Sequence, residues 1–168
     1  MAHVASHPAS RSEVGKRQIV AGAVGGLIGG MAMAMFAMLL AIGRDGFWSP
    51  VRGIASVVFG DSHYGGGFDA PSVVVGVAGH MMNSLVLGIV FAVAATLLFR
   101  KARPMTVWML GAMYGLAVWV VMMLGVVHGL QGSNLLVDAL PAWGWAVAHV
   151  MFGVVTAMVF TTINRSAE

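Results

Sequence analysis

The sequence predicts an all-α membrane protein. Four transmembrane helices are formed by two tandem repeated hairpins, and a short interfacial helix lies in the first external loop. Three observations lead there. Hydrophobic residues make up 59% of the 168 and charged residues only 9%, against roughly 25% charged in an ordinary soluble domain. Four stretches carry no Asp, Glu, Lys or Arg: Gln18 to Gly43, Ala70 to Phe99, Pro104 to Val137 and Ala139 to Asn164. A segment also occurs twice at an offset of 69, His80 to Phe91 and His149 to Phe160. Its identical positions are His80/His149, Met82/Met151, Val86/Val155, Val90/Val159 and Phe91/Phe160.

A hydrocarbon core about 30 Å thick needs about 20 helical residues, and each charge-free stretch is long enough. Backbone groups in lipid must pair within their own segment, so the spans are helices, and alternating barrel strands are absent. Residues 1–17 read as a disordered tail. Arg11, Lys16 and Arg17 resemble a signal-peptide n-region, but the apolar run of 26 residues behind them exceeds a signal h-region, which predicts an uncleaved first helix. Residues 18–103 form the first hairpin around an external loop at 44–70. Residues 104–164 form the second, and 165–168 a short tail.

Seven of the nine basic residues fall at the two termini or between helices 2 and 3, leaving only Arg44 and Arg52 on the other side. The positive-inside rule then puts both termini in the cytoplasm, and the expected location is the inner membrane. In the first external loop, Ser49-Pro50 is a good helix start and Gly60 a good stop. Val51, Ile54 and Val58 share one face of the helix between them, and Phe47 and Trp48 precede it, as suits the membrane interface. Gly65-Gly66-Gly67 supplies a turn before Pro71 opens the second span.

Helix 1 carries Gly22, Gly26 and Gly30 on one stripe and Gly25 and Gly29 on another, allowing close contacts inside its bundle and against a partner. Gly25/Gly29 resemble Gly111/Gly115 in helix 3. Two spans per repeat insert both copies in the same direction, related by a pseudo-twofold axis along the membrane normal, with His80 and His149 facing each other or the axis.

Phe47-Trp48-Ser49-Pro50-Val51-Arg52, Gly79-His80 and Ala148-His149-Val150-Met151-Phe152-Gly153 carry a resemblance to a group of small four-helix bacterial inner-membrane proteins, over most of residues 20 to 163. The resemblance implies the topology and a bacterial membrane, and no activity.

Composition excludes several chemistries. With no cysteine there are no disulfides, thiolate metal sites or iron–sulfur clusters. The basic residues flank the spans, where they set orientation, so nucleic-acid binding is not expected. The lipid bilayer is the expected partner, with other membrane subunits or a homo-oligomer.

The histidines are the candidate site. His80, His149 and His128 all lie toward the outer end of their spans, and His63 lies in the external loop. Neutral imidazole is a usual ligand of haem iron, zinc and copper. From His80 and His149, positions i+4 and i+8 are small (Ser84 and Gly88; Gly153 and Ala157), a slot for a flat porphyrin with the two histidines as axial ligands of haem b. A bare transition metal would instead use His80 and His149, with His128 or His63. Against both stands an ordinary structural role, since small residues spaced by four also bring helices together. Met31, Met35 and Met38 share a face and invite a copper reading, but methionine also fills gaps in packing. Asp61, His63 and Asp69 could form an oxygen–nitrogen metal site, or simply solvate a turn. Ser84 with His149 lacks the nucleophile elbow of a serine hydrolase. The resulting expectation is a non-catalytic accessory or structural subunit, with a haem- or metal-binding subunit second and a small transporter third.

Overall fold

A computed structural model describes residues 14–99, 101–127 and 135–165. All regular structure among them is helical: α1 (Lys16–Ala41), α2 (Ser49–Phe59), a 3₁₀ turn (Asp61–His63), α3 (Ala70–Leu98), α4 (Pro104–Val121), a π-helical turn (Met122–Val127), α5 (Leu135–Asp138) and α6 (Ala142–Arg165). Helices α1, α3, α4 and α6 are long and apolar enough to cross a membrane, and four such helices fit a multi-pass membrane protein.

The boundaries follow local chemistry. Pro50, Pro71 and Pro104 sit in the first turns of α2, α3 and α4, where a missing N–H costs nothing. The Asp69 side chain accepts the Ser72 N–H at 3.2 Å and so caps α3. Gly60, at φ 85°, ends α2 in a left-handed conformation that glycine adopts without strain.

The order of packing is α3, α1, α6, α4, with α1 touching both α3 and α6 and α4 resting on α6. Lipid offers no hydrophobic drive between helices, so close approach of small residues and polar contacts must hold the bundle. Both glycine stripes of α1 are used for this inside the chain. A Cβ built on Gly22 would lie 2.6 Å from Gly88 O of α3, and one on Gly25 would lie 2.8 Å from Thr156 O of α6. The first stripe thus faces α3 and the second faces α6. Thr156 Oγ1 also donates to Gly25 O at 3.3 Å, and Arg17 donates to Ile163 O near the ends of the same two helices.

α3 and α4 approach each other only loosely, and large side chains bridge the space. Tyr114 OH of α4 donates to Leu87 O of α3 at 2.8 Å. Phe91, Tyr114 and Phe160 stack with ring centroids 5.4 and 6.0 Å apart. This aromatic filling closes the half of the seam nearer Arg103. Toward the α2 end the seam stays open.

The loop around α2 is tied down by polar groups. Arg52 donates to His63 O at 2.8 Å and Gly67 O at 3.0 Å, and Ser49 Oγ donates to Gly46 O at 2.8 Å. Tyr64 OH donates to Asp45 at 2.8 Å, and burial together with that carboxylate pushes the Tyr64 phenol above its ordinary value. The short helix expected between Ser49 and a stop at Gly60 is α2, and its sides meet different surroundings. Val51 and Ala55 are buried whereas Val58 is 68% exposed, because α2 turns its Val51 side onto Gly76 of α3 and its Gly53 side onto Leu136 of α5.

Candidate functional site

Where the α3–α4 seam stays open, the structure forms a partly open cavity of ≈ 290 Å³. Its walls come from every long helix, with Met33 and Ala37 from α1, His80 from α3, Val118 from α4 and Phe152 from α6. Pro50, Val51 and Ile54 of α2 and Leu136 of α5 roof it, and Met122 and Met123 reach it from the π-helical turn. A π-turn widens the helix and re-aims its side chains, which is why such turns recur at functional sites. The lining is mostly apolar. His80, Asn83, Ser84 and His149 supply its side-chain polar groups apart from the Trp145 indole, which is already committed to Val137 O at 3.1 Å.

The two histidines of the repeated segment therefore share one cavity wall. His80 Nε2 lies 2.9 Å from Gly30 O, and His149 Nδ1 lies 2.8 Å from Trp145 O. A carbonyl oxygen can only accept, so the proton sits on Nε2 of His80 and on Nδ1 of His149. No Asp or Glu lines the cavity among the described residues, and an unpaired charge in apolar surroundings is costly, so both rings are neutral. The second nitrogens, His80 Nδ1 and His149 Nε2, are then lone-pair acceptors. Neither has a hydrogen-bond partner among the described residues. His149 is only 5% exposed, yet its Nε2 is not among the fully buried unpartnered side-chain atoms of the described residues, which are Trp119 Nε1 and Asn164 Oδ1.

The porphyrin slot expected along the small residues is not there. Gly88 packs against Gly22 and Gly26 of α1, while Gly153 and Ala157 pack against Gly111 of α4. Ser84 alone of the four reaches the cavity, and it is also pressed against Gly30. The small side chains serve helix crossing, and among the described residues no groove runs along them from either histidine for a flat ring to enter.

The wider metal set is not assembled among the described residues, which hold no group of three or more His, Asp or Glu placed to bind a metal ion. His63 is engaged at the start of α3, with Nδ1 3.2 Å from Ser72 Oγ and 3.9 Å from Asp69, and its ring lies 5.1 Å from Phe59. It is not among the cavity-lining residues. His128 lies outside the described residues. The methionine face of α1 divides, with Met31 and Met35 exposed and Met38 buried.

Asn83 was not visible as a site residue in the sequence reading. Its signal is the three-residue spacing from His80, which puts the two on one side of a helix. Trp145, Phe152 and the Met122-Met123 pair come together only through the tertiary arrangement.

Fold and site together define a class, a multi-pass helical membrane protein with an apolar cavity carrying a few convergent polar groups. The chain belongs to a family of unknown function (DUF6789), whose model matches residues 16–168. No curated protein and no solved structure matches it.

Proposed function

We propose that this is a non-catalytic protein of the bacterial inner membrane, an accessory or structural subunit of a membrane complex or homo-oligomer. Its working part is the His80/His149 cavity, which holds a small apolar molecule. The observation that carries this is the cavity itself. Ligand sites are concave, mostly apolar and furnished with few polar groups, with volumes from about 300 Å³ upward. The charge-free spans contain no carboxylate, which favours binding over proton-coupled transport.

Seven basic residues against two support cytoplasmic termini, with α2 and the cavity toward the outer face. Exposed Val57, Val58, Phe59 and Phe68 support an interfacial position for α2. The two-repeat reading is supported by matching helix contacts. Gly26 meets Ser84 and Gly88 as Gly111 meets Gly153 and Ala157, and Gly30 meets His80 and Ser84 as Gly115 meets His149 and Gly153. In that register Gly26 and Gly30, rather than Gly25 and Gly29, stand opposite Gly111 and Gly115.

The free nitrogens of His80 and His149 favour one second reading, a transition-metal ion held by the pair, although two protein ligands fall short of the three or four usual for zinc. The experiment is mass spectrometry and metal analysis of the protein purified in native-lipid nanodiscs, beside Ala37→Phe, which fills the cavity. Wild type is expected to retain an apolar molecule that is neither phospholipid nor present in Ala37→Phe. Identical extracts from both would count against the cavity as a binding site. Metal lost on His80→Ala and His149→Ala would favour the second reading.

A further inference from the structure

We propose that the cavity takes an apolar molecule carrying a hydroxyl group, of the phenol or hydroquinone class, whose O–H donates to the free nitrogen of His80 or of His149, and to both where it carries two hydroxyls. This rests on the cavity reading above and assigns the chemistry of its occupant.

The inference comes from hydrogen-bond accounting. Each ring has spent its only N–H on a backbone carbonyl, His80 on Gly30 O and His149 on Trp145 O. What remains on each is an acceptor, and a complementary ligand must therefore bring donors. A ligand carrying only carbonyl or ether oxygens would leave both nitrogens unmatched, and an unmatched buried polar group is expensive. The two rings reach this condition through opposite nitrogens, because His80 bonds across to α1 and His149 bonds back along its own helix. The rings belong to different helices yet line one space, so a single ligand with one or two hydroxyls can address either or both.

The rest of the lining selects the body of that ligand. Trp145 and Phe152 offer aromatic surfaces, and Met33, Met122 and Met123 offer flexible thioethers that pack well against ring edges. The volume of ≈ 290 Å³ suits one ring with a short substituent. Asn83 lines the cavity and is also exposed, so the wall reaches the bundle surface at that residue. At 1.5 Å per residue, Asn83 lies about 22 Å along α3 from its end at Leu98. A membrane-dissolved phenol therefore meets the opening within the leaflet on the α2 side, where the amide can exchange hydrogen bonds with its hydroxyl.

The test compares 4-hexylphenol with 4-hexylanisole, which differ by the methyl group that removes the donor. Binding is measured by equilibrium dialysis against full-length protein in phosphatidylcholine nanodiscs, corrected for partition into empty discs. The phenol is expected to bind about tenfold more tightly than the ether, the worth of one hydrogen bond in an apolar site. The double variant His80→Phe, His149→Phe, which removes both acceptors, is expected to bring the phenol to the ether's affinity and leave the ether unchanged. Because a substitution at a buried position can itself disturb the fold, wild type gives an independent readout. The phenol is expected to shift the ¹⁵N resonance of at least one of His80 Nδ1 and His149 Nε2, and the ether to leave both in place. Equal binding of the two probes overturns the hydroxyl assignment and leaves the cavity reading standing. Failure of both probes to bind above empty discs overturns the cavity reading too.

Discussion

Gly22→Ala tests whether direct contact between small residues holds the bundle. The added Cβ would lie 2.5 Å from Ala92 Cβ and 2.6 Å from Gly88 O, whereas ordinary contact begins at 3.4 Å. The nearer contact falls short by 3.4 minus 2.5, or 0.9 Å, and both neighbours belong to the stiff body of α3. Parting two packed surfaces by 0.5–1 Å forfeits roughly a quarter to a half of their dispersion energy, and overpacking costs about 1–3 kcal/mol. Alanine's better helix propensity offsets about 0.5–1 kcal/mol of this, so a net loss of roughly 1–2 kcal/mol is expected. Gly79→Ala is the control in α3, since its Cβ would meet only Ile54 Cγ2 at 3.5 Å. It keeps the propensity gain without the clash. The assay is reversible unfolding in mixed micelles followed by far-ultraviolet circular dichroism. Equal effects of the two substitutions, or stabilisation by Gly22→Ala, would refute the reasoning.

Three further outcomes are expected. Tyr114→Phe removes the bond to Leu87 O that bridges the α3–α4 seam and lowers stability by about 0.5–1.5 kcal/mol in the same unfolding assay. Donation by Ser72 holds the Asp69 carboxyl below its ordinary value. Its stabilising contribution is therefore present above the unfolded pKa of about 4 and is lost as pH falls through the lower folded value. Thermal melts between pH 2 and 6 should show this acid-side decline in wild type and a flatter profile in Asp69→Asn. Epitope tags at both termini should resist external labelling in intact cells, and labelling of either would reverse the topology.

The spans were legible because charge is so costly in lipid that its absence marks them directly. The two glycine stripes of α1 were legible for a similar reason, since helical periodicity assigns a face to each. What the sequence could not say was which neighbour each face would meet. Gly88, Gly153 and Ala157 read equally well as a ligand slot or as a crossing point. The structure spends them on α1 and α4, because dispersion contacts between small residues are the main attraction available to helices in lipid. His80 and His149 both line the cavity, and that each opens a similar segment was readable in the sequence. Their tautomers were not, because these depend on carbonyls at Gly30, fifty residues from His80 in sequence, and at Trp145. The cavity depends on α3 and α4 standing apart, a property of packing order with no local sequence mark. Along α2 the apolar pattern did not reveal which residues would be buried, since α2 is oriented by contacts to Gly76 and Leu136.

The most direct test of the account is ¹⁵N magic-angle-spinning NMR of histidine-labelled protein in bilayers, with His80 and His149 assigned by their loss in single-site variants. Opposite neutral tautomers are predicted, with the proton on Nε2 of His80 and on Nδ1 of His149. The other nitrogen of each ring should resonate as a bare lone-pair acceptor. Protonation of both rings at the same nitrogen position, or an imidazolium at either site near neutral pH, would contradict the account.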